Sequence, residues 1–309
     1  MGTIESLTSL AMIFVMIIPG LFLGRKNIVT EDQTAGLTTV VVNLTWPCLI
    51  IDSMQMPFSF EILKNSGFVT VIMLVIFVIS YLISLLIVKF VKMDKSHRHL
   101  FTFMIMFANT GFMGIPIINA VYGEEATFYA AIYEMVANIL IFTVGIMLIQ
   151  MAADKNLRMH PRELLTPGLI AVIIGFLLFV LGITLPGFLG KSVYILGAAT
   201  TPITMVAIGT MIGRMKVKDI FSSGTIYLMS FITLIIIPAI TYLLLFVIMG
   251  ESSLLAKVLV IDFAMPAAMC SAIFSRQYGA DYEFASKGVM ISTMLSMVTI
   301  PLFTILLSF

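Results

Sequence analysis

The stretch "FANTGFMGIPI", residues Phe107 to Ile117, places polar and helix-breaking residues inside a long apolar run. Pro116 has no N–H, so the carbonyl of Phe112 loses its helical hydrogen-bond partner. Gly111 and Gly114 lower the cost of leaving the helix and allow another backbone to approach. Lipid offers no partner for a freed backbone group, so a break at membrane depth is expected only where protein or a wet cavity surrounds it.

The composition indicates that this stretch belongs to an integral membrane protein. The chain is 60% hydrophobic and 11% charged, with a mean hydropathy of +1.12, whereas an ordinary soluble domain is about 25% charged. There is no basic cluster typical of nucleic-acid binding. Zinc motifs, a P-loop and a GxSxG elbow are all missing from the sequence. We therefore expect no cofactor, no metal site and no enzyme activity.

Segment lengths predict the number of membrane spans. About 20 mostly apolar residues cross a bilayer as a helix, and this length gives an all-α protein with ten spans. The first of them lacks the basic start and cleavage site of a signal peptide. The ten spans cover residues 6–24, 34–55, 66–90, 98–122, 125–151, 166–185, 192–213, 223–249, 254–277 and 283–308.

The Lys and Arg residues predict how the spans are oriented. Of the 17 such residues, all but Lys64, Lys191 and Lys257 lie in or beside loops that follow odd-numbered spans. Loops rich in Lys and Arg stay in the cytoplasm. We therefore expect a multi-pass protein of the cell membrane with both termini outside.

Two pairs of prolines indicate an internal repeat. Pro47 in span 2 and Pro202 in span 7 lie 155 residues apart, and Pro116 in span 4 and Pro266 in span 9 lie 150 apart. This favours two five-span halves, residues 1–152 and 163–309, with the second inverted because five is odd. Inverted repeats with broken helices at matching positions are typical of secondary transporters. Chance pairing among 11 prolines is the competing explanation.

Four stretches of the chain resemble one known family. "ANTGFMGIPI" resembles the span-4 signature of the auxin efflux carrier family, which includes plant PIN-type exporters and bacterial organic-acid permeases. "VVNLTWPCLI", "MPAAMCSAIFSRQYGAD" and "STMLSMVTIPL" fit the same family in spans 2, 9 and 10. The short central loop "ADKNLRMHPREL" favours the bacterial permease branch, whose members carry small carboxylates such as malate or malonate.

The resemblance implies an architecture and a substrate class. Spans 1, 2, 6 and 7 would form a scaffold, and spans 3–5 and 8–10 would form a moving transport core. Spans 4 and 9 would be broken helices that cross, and an organic anion would bind at the crossing. A homodimer through the scaffold helices is also implied.

The expected substrate site lies at the crossing of spans 4 and 9, with Asn43 of span 2 as a further candidate. The family pattern often has an Asn a few residues after the span-9 proline, where this sequence has Cys270. Asn109 is therefore expected to act together with Cys270, Ser271 and backbone groups. The candidate substrate-binding residues are Asn109, Thr110, Gly111, Pro116, Asn43, Pro266, Cys270 and Ser271.

Two isolated acids inside apolar spans are candidates for coupling. Charged groups at membrane depth are costly and usually face an interior cavity. Glu134 in span 5, with Asn138 one turn later on the same face, and Asp262 in span 9 are therefore expected to bind a cation or a proton. The alternatives are an interhelical hydrogen bond for Glu134 and a bracing role at the break for Asp262.

These observations favour a secondary transporter of small organic anions, such as mono- or dicarboxylates or auxin-like acids, working by alternating access. The alternative is a cation/proton antiporter of related architecture. A membrane enzyme would need a nucleophile–base pair, an aspartate dyad or a metal set at membrane depth, and the sequence offers none. The coupling ion, H⁺ or Na⁺ or neither, is left open, as is the direction of transport.

Overall fold

The computed structural model describes residues 3–154, 167–214 and 224–308, and these residues form helices without a regular strand. Within these described residues, six helices are long and apolar enough to cross a membrane. Helices suit this setting because they satisfy their backbone hydrogen bonds within one segment. The predicted all-α membrane protein is confirmed, while the arrangement of ten spans as two inverted halves stays a prediction.

We label the helices in chain order. They are α1 (Thr3–Arg25), α2 (Glu31–Ser53), α3 (Phe60–Phe90), α4 (Lys95–Met106), α5 (Thr110–Tyr122), α6 (Glu124–Ala152), α7 (Pro167–Leu181), α8 (Gly187–Gly213), α9 (Gly224–Ile248), α10 (Leu254–Phe263), α11 (Cys270–Tyr278) and α12 (Tyr282–Leu306). The proposed start of the second half at residue 163 and the loop cations Lys155, Arg158, Arg162, Lys216 and Lys218 lie outside the described residues.

Three prolines each follow a wide turn in their helix. The π-helical turns Val41–Thr45, Thr110–Gly114 and Ile232–Ile236 end two residues before Pro47, Pro116 and Pro238. A proline removes one N–H from the helical ladder. The wider turn lets a carbonyl reach an N–H five residues on, as Thr110 does with Ile115, so the local distortion follows from the proline.

Helices α1 and α8 touch backbone to backbone. Gly20 and Gly24 on α1 face Gly209 and Gly213 on α8. A Cβ added at Gly209 would stand 2.8 Å from the Cα of Gly20 and 2.9 Å from the nitrogen of Leu21. Small residues spaced four apart allow this close approach between membrane helices. The two helices are therefore fitted to one another at a distance that only glycine permits.

Helix α2 packs against both α7 and α8. A Cβ at Gly197 of α8 would stand 2.9 Å from the backbone nitrogen of Leu49, and one at Gly175 of α7 would stand 2.7 Å from the sulfur of Met54. The helices α1, α2, α7 and α8, which correspond to predicted spans 1, 2, 6 and 7, thus form one connected set, in which α8 contacts α1 and α2, and α2 also contacts α7. Their role as a fixed scaffold stays a prediction.

The beginnings of α4 and α12 are joined by an ion pair. The Nε2 atom of His97 lies 2.9 Å from Oδ2 of Asp281, and its ring stacks on Phe284 with 4.2 Å between ring centres. Asp281 also caps α12 by accepting the N–H of Phe284. Partial burial acts to raise the pKa of Asp281, but the hydrogen bonds from Phe284 and His97 outweigh it and leave that pKa below its ordinary value.

Candidate functional site

The break between α4 and α5 lies against the break between α10 and α11. Asn109 donates its backbone N–H to the carbonyl of Pro266 at 2.7 Å, and Ala268 donates to the carbonyl of Phe107 at 2.9 Å. The pair forms a short antiparallel bridge centred on Ala108 and Ala267. Each break therefore satisfies backbone groups of the other, as irregular backbone at membrane depth requires.

Helix α12 supports this crossing from one side. The N–H of Ala267 donates to the hydroxyl oxygen of Ser292 at 3.2 Å, and the hydroxyl of Ser292 donates to the carbonyl of Gly288 at 2.7 Å. Sequence reasoning missed this role for Ser292. The available signal was that "STMLSMVTIPL", one of the family-like stretches, begins with this serine.

Glu134 lies buried between α5 and α6 and accepts two hydrogen bonds. The hydroxyl of Thr110 donates to its Oε2 atom, and the amide of Asn138 donates to its Oε1 atom at 3.2 Å. The expected shared face of Glu134 and Asn138 is present. The hydrogen bond to Thr110 is also the interhelical bond expected if Glu134 has only a structural role. It therefore does not distinguish that role from the binding of a cation or a proton.

Asp262 lies near the end of α10 and is fully buried. Within the described part of the chain, neither of its carboxylate oxygens has a hydrogen-bond partner. The Asp262 carboxyl group has room because Gly114 has no side chain. A Cβ at Gly114 would stand 2.8 Å from Oδ1 of Asp262 and 3.3 Å from Cβ of Thr110. Asp262 and Glu134 therefore approach Thr110 from two directions, and bracing of the break by hydrogen bonds of the Asp262 carboxylate is not observed.

Trp46 of α2 reaches the same cluster between two glycines. A Cβ at Gly111 would stand 2.8 Å from Cζ2 of Trp46 and 3.0 Å from Oε1 of Glu134. A Cβ at Gly168 of α7 would stand 2.9 Å from Cζ3 of Trp46. The indole also stacks on Phe112, with 6.2 Å between ring centres. Trp46 thus packs between α5 and α7 beside the crossing.

The remaining predicted residues are not all brought together. Pro266 is buried in the break between α10 and α11, Ser271 is buried just after it, and Cys270 begins α11 half-buried. Pro116 is also buried, but it lies inside α5, seven residues beyond the break at residues 107–109. The hydroxyl of Ser271 has no hydrogen-bond partner among the described residues. Asn43 is exposed and donates its amide to the carbonyl of Thr39 in its own helix at 2.8 Å. Asn43 is therefore not part of the buried cluster.

Tyr133 is a second residue that sequence reasoning missed. It is buried beside Phe263, with 5.2 Å between ring centres, and within the described residues its hydroxyl has no hydrogen-bond partner. Phe263 follows Asp262 directly, and Glu134 follows Tyr133 directly. The only sequence signal was its position next to the one acid of span 5.

The start of α5 offers donors for a solute. The amides of Gly111 and Phe112 lie in the first helical turn, where a helix has no partner of its own for them. Asn109 is 3% exposed, makes no side-chain cap, and its Nδ2 atom has no hydrogen-bond partner among the residues described. The positive end of the helix dipole adds to these donors. This end of the cluster suits an oxygen-bearing, negatively polarised group.

The buried charges of the cluster are both acidic. Among the residues whose burial the structure describes, the buried carboxylic acids are Glu134 and Asp262, and no Lys, Arg or His is buried. The same part of the chain holds no group of three or more His, Cys, Asp or Glu side chains arranged for a metal ion. The cluster therefore combines neutral hydrogen-bond donors at the start of α5 with two carboxyl groups, those of Glu134 and Asp262, that lie near the first turns of the same helix.

Comparisons with known proteins agree with this architecture. A family model described as membrane transport protein matches residues 5–164 and 156–304. An uncharacterized transporter of Methanothermobacter thermautotrophicus is 24% identical, with 99% of each chain covered. The uncharacterized transporter MJ1031 of Methanocaldococcus jannaschii is 25% identical, covering 94% of this chain and 95% of its own. The uncharacterized transporter YfdV of Escherichia coli K12 is 21% identical over 94% of both chains.

The family match confirms the resemblance drawn from the four motifs. It covers nearly the whole chain, including both breaks and both buried acids. It also indicates a transporter rather than an enzyme. With its long apolar helices and its crossing of two broken ones, this chain belongs to the membrane transport protein family, whose members resemble the auxin efflux carriers.

Proposed function

We propose that the protein is a secondary transporter that moves small organic anions, such as mono- or dicarboxylates or auxin-like acids, across the cell membrane. The solute would bind where the breaks before α5 and α11 cross, and alternating access would expose that place to each side in turn. The observation that carries the proposal is the buried side-chain amide of Asn109, whose Nδ2 atom has no hydrogen-bond partner among the described residues, beside the first-turn amides of Gly111 and Phe112 at the start of α5. Helix N-termini with free N–H groups are ready-made anion sites.

The two buried acids require a companion for such an anion. Two unit charges about 6 Å apart repel each other by about 3 kcal/mol at an effective dielectric constant of about 20. The described residues bury no basic side chain that offsets this repulsion. A proton or Na⁺ therefore binds with the organic anion in our proposal. Asp262 is the favoured binding group, because its oxygens have no hydrogen-bond partner among the described residues.

Glu134 plays a different part in this proposal. Its carboxylate already accepts hydrogen bonds from Thr110 and Asn138, and donors of this kind stabilise a charged carboxylate. Glu134 would hold the start of α5 in place and set the charge of the site. Asp262 would take up and release the coupling proton or cation. Anion and coupling ion would then raise each other's affinity, as reciprocal linkage demands.

A cation/proton antiporter is the second candidate. It is favoured by the same pair of buried acids and by the lack of a buried base among the described residues. In that case a cation would be the transported solute, and the donors at the start of α5 would have only a structural role.

Uptake into proteoliposomes separates the two candidates. The purified protein would be tested with labelled malonate and malate, and with ²²Na⁺ and ⁸⁶Rb⁺, under an imposed pH or Na⁺ gradient. The anion transporter accumulates a carboxylate and takes up Rb⁺ no faster than empty vesicles do. The antiporter moves a cation against a proton gradient and ignores both carboxylates. Uptake of neither class contradicts both candidates.

The larger organisation is part of the same proposal. The two halves, residues 1–152 and 163–309, would be inverted repeats, and both termini would lie outside the cell. The helices α1, α2, α7 and α8 would form the scaffold and a homodimer contact within the lipid bilayer. The remaining helices would form the moving core. Support comes from the prolines at matching places and from the mutual packing of α1, α2, α7 and α8.

A further inference from the structure

We infer that the indole N–H of Trp46 donates a hydrogen bond to the solute at the crossing, so that α2 contributes a binding residue from outside the two broken helices. The inference rests on the proposed transport of organic anions. It assigns a solute contact to a residue whose packing alone would otherwise account for its burial.

The orientation of the indole supports this inference. The Cζ2 atom is the ring atom nearest to the place of a Gly111 Cβ, and Cζ3, on the far edge, is the nearest to that of Gly168. In an indole, Cζ2 and Nε1 are bonded to the same carbon and lie on the same edge. The N–H edge therefore lies towards α5 and the carboxyl of Glu134, and the other edge lies towards α7.

The N–H of Trp46 is also without a partner. Trp46 is 6% exposed, and its Nε1 atom makes no hydrogen bond within the described residues. A buried donor left unpaired costs about 1–3 kcal/mol. Oε1 of Glu134 accepts the amide of Asn138, and Nε1 of Trp46 is not hydrogen-bonded to it. A solute oxygen that reaches Nε1 at the crossing would remove this cost.

The chemistry of the indole selects the solute class. The indole N–H is a donor and never an acceptor. This group therefore recognises a carboxylate or carbonyl oxygen and cannot accept a hydrogen bond from an ammonium group or coordinate a cation. The unpaired amide of Asn109 is a second donor at the start of α5. The faces of Trp46 and Phe112 supply an apolar wall beside them. A small carboxylate with an apolar backbone satisfies all three features.

The test replaces the N–H and keeps the ring. Trp46 is the one tryptophan of the chain, so expression in a tryptophan auxotroph fed with 3-benzothienylalanine changes this position alone, from N–H to sulfur. Malonate uptake by proteoliposomes is then measured as KM and kcat. We expect KM to rise about 10-fold or more, the equivalent of one lost hydrogen bond to a charged acceptor, with kcat and melting temperature nearly unchanged.

Two further variants complete the design. Trp46→Phe also removes the N–H and should raise KM similarly, which guards against poor incorporation of the analogue. Gly168→Ala disturbs the packing at the far edge of the indole, where a Cβ would stand 2.9 Å from Cζ3, but keeps the N–H, so its KM should rise far less. An unchanged KM in the analogue-containing protein overturns the inference while leaving the proposed transport intact. Uptake of cations only, or of none of the probes, overturns the proposed function and this inference with it.

Discussion

Asn109 is the residue on which the substrate site depends most directly. Its side chain is buried, makes no cap hydrogen bond to α5, and lies next to the backbone bridge that joins the two breaks. The Asn109→Ala variant removes an amide that both donates and accepts. We expect carboxylate binding to weaken by about 1–3 kcal/mol, because the bridge uses only the backbone of this residue and the fold stays intact.

Asn43 provides a matched control for this experiment. It is an exposed asparagine whose amide bonds within its own helix, so Asn43→Ala should leave malonate KM and melting temperature close to those of the unchanged protein. Normal carboxylate binding by Asn109→Ala would show that the amide is structural, and the site assignment at the start of α5 would then be wrong.

Asp262 and Glu134 are predicted to differ in their effect on coupling. If transport is proton-driven, Asp262→Asn should abolish accumulation of malonate driven by a pH gradient. It should leave malonate–malonate exchange, because exchange moves no net proton. Glu134→Gln should instead slow both processes, since it weakens the hydrogen bond that Thr110 donates. Accumulation with unchanged pH dependence in both variants would contradict proton coupling through these acids.

At the level of single residues, the sequence named as candidates many of the residues that lie in the buried cluster. Asn109, Thr110, Gly111, Asp262, Glu134 and Asn138 were candidates because polar groups inside apolar spans need a reason to be there. Trp46 and Tyr133 were not site candidates. The midspan position of Trp46 fits either cavity lining or packing between helices, and only the unpaired N–H or O–H, which the sequence does not show, distinguishes the two residues. Asn43 was a candidate on the basis of its neighbours, and the π-helical turn of α2 leaves it exposed.

Among the helices, the glycine contact between α1 and α8 makes the sharpest prediction. At Gly209 a Cβ would stand 2.8 Å from the Cα of Gly20, and backbone atoms cannot turn aside as a side chain can. Gly209→Ala should therefore destabilise the protein by about 1–3 kcal/mol or more through overpacking. The measurement is the melting temperature in detergent.

Gly67 of α3 provides the control for this substitution. A Cβ there meets nothing within 4 Å, and alanine is favoured over glycine in a helix by about 1 kcal/mol. Gly67→Ala should therefore keep or raise the melting temperature. Equal melting temperatures for the Gly67 and Gly209 variants would mean that α1 and α8 separate easily.

The helix boundaries could be predicted only in part. Predicted spans 4 and 9 each proved to be two helices, α4 with α5 and α10 with α11. The break in span 9 includes Pro266 as expected, whereas the break in span 4 lies at residues 107–109, before Gly111 and Pro116. The π-helical turns before Pro47 and Pro238 were not predicted, because an apolar run with a single proline is also compatible with a simple kink. Their position depends on which carbonyls find a partner after the proline removes one.

The orientation of the whole molecule is open to a labelling experiment. In a chain with Cys48 and Cys270 replaced by alanine, we expect a cysteine at Lys191 to react with an impermeant thiol reagent on intact cells. A cysteine at Lys95 should react only after the cells are permeabilised, because the Lys and Arg distribution keeps that loop inside. Both positions are exposed in the structure, so accessibility reports the side of the membrane.

The opposite labelling pattern would reverse the predicted topology. Tags at both chain ends that are accessible from outside would independently confirm the predicted topology, with both termini outside. Equal labelling at Lys95 and Lys191 from outside would place both loops on one side, which is incompatible with the predicted count of spans between them. The inverted repeat would then lose its main support, since it depends on an odd number of spans in each half.

The bridge between Ala108 and Ala267 has a consequence for motion. Two hydrogen bonds, from Asn109 to Pro266 and from Ala268 to Phe107, join the two breaks, and at membrane depth an unpaired backbone group costs several kcal/mol. Sliding one break past the other would sever both bonds, so in the proposed mechanism the two breaks would move together. We then expect the flux of a bound solute to saturate at the turnover rate of this moving unit, whereas the flux through an open pore keeps rising with solute concentration.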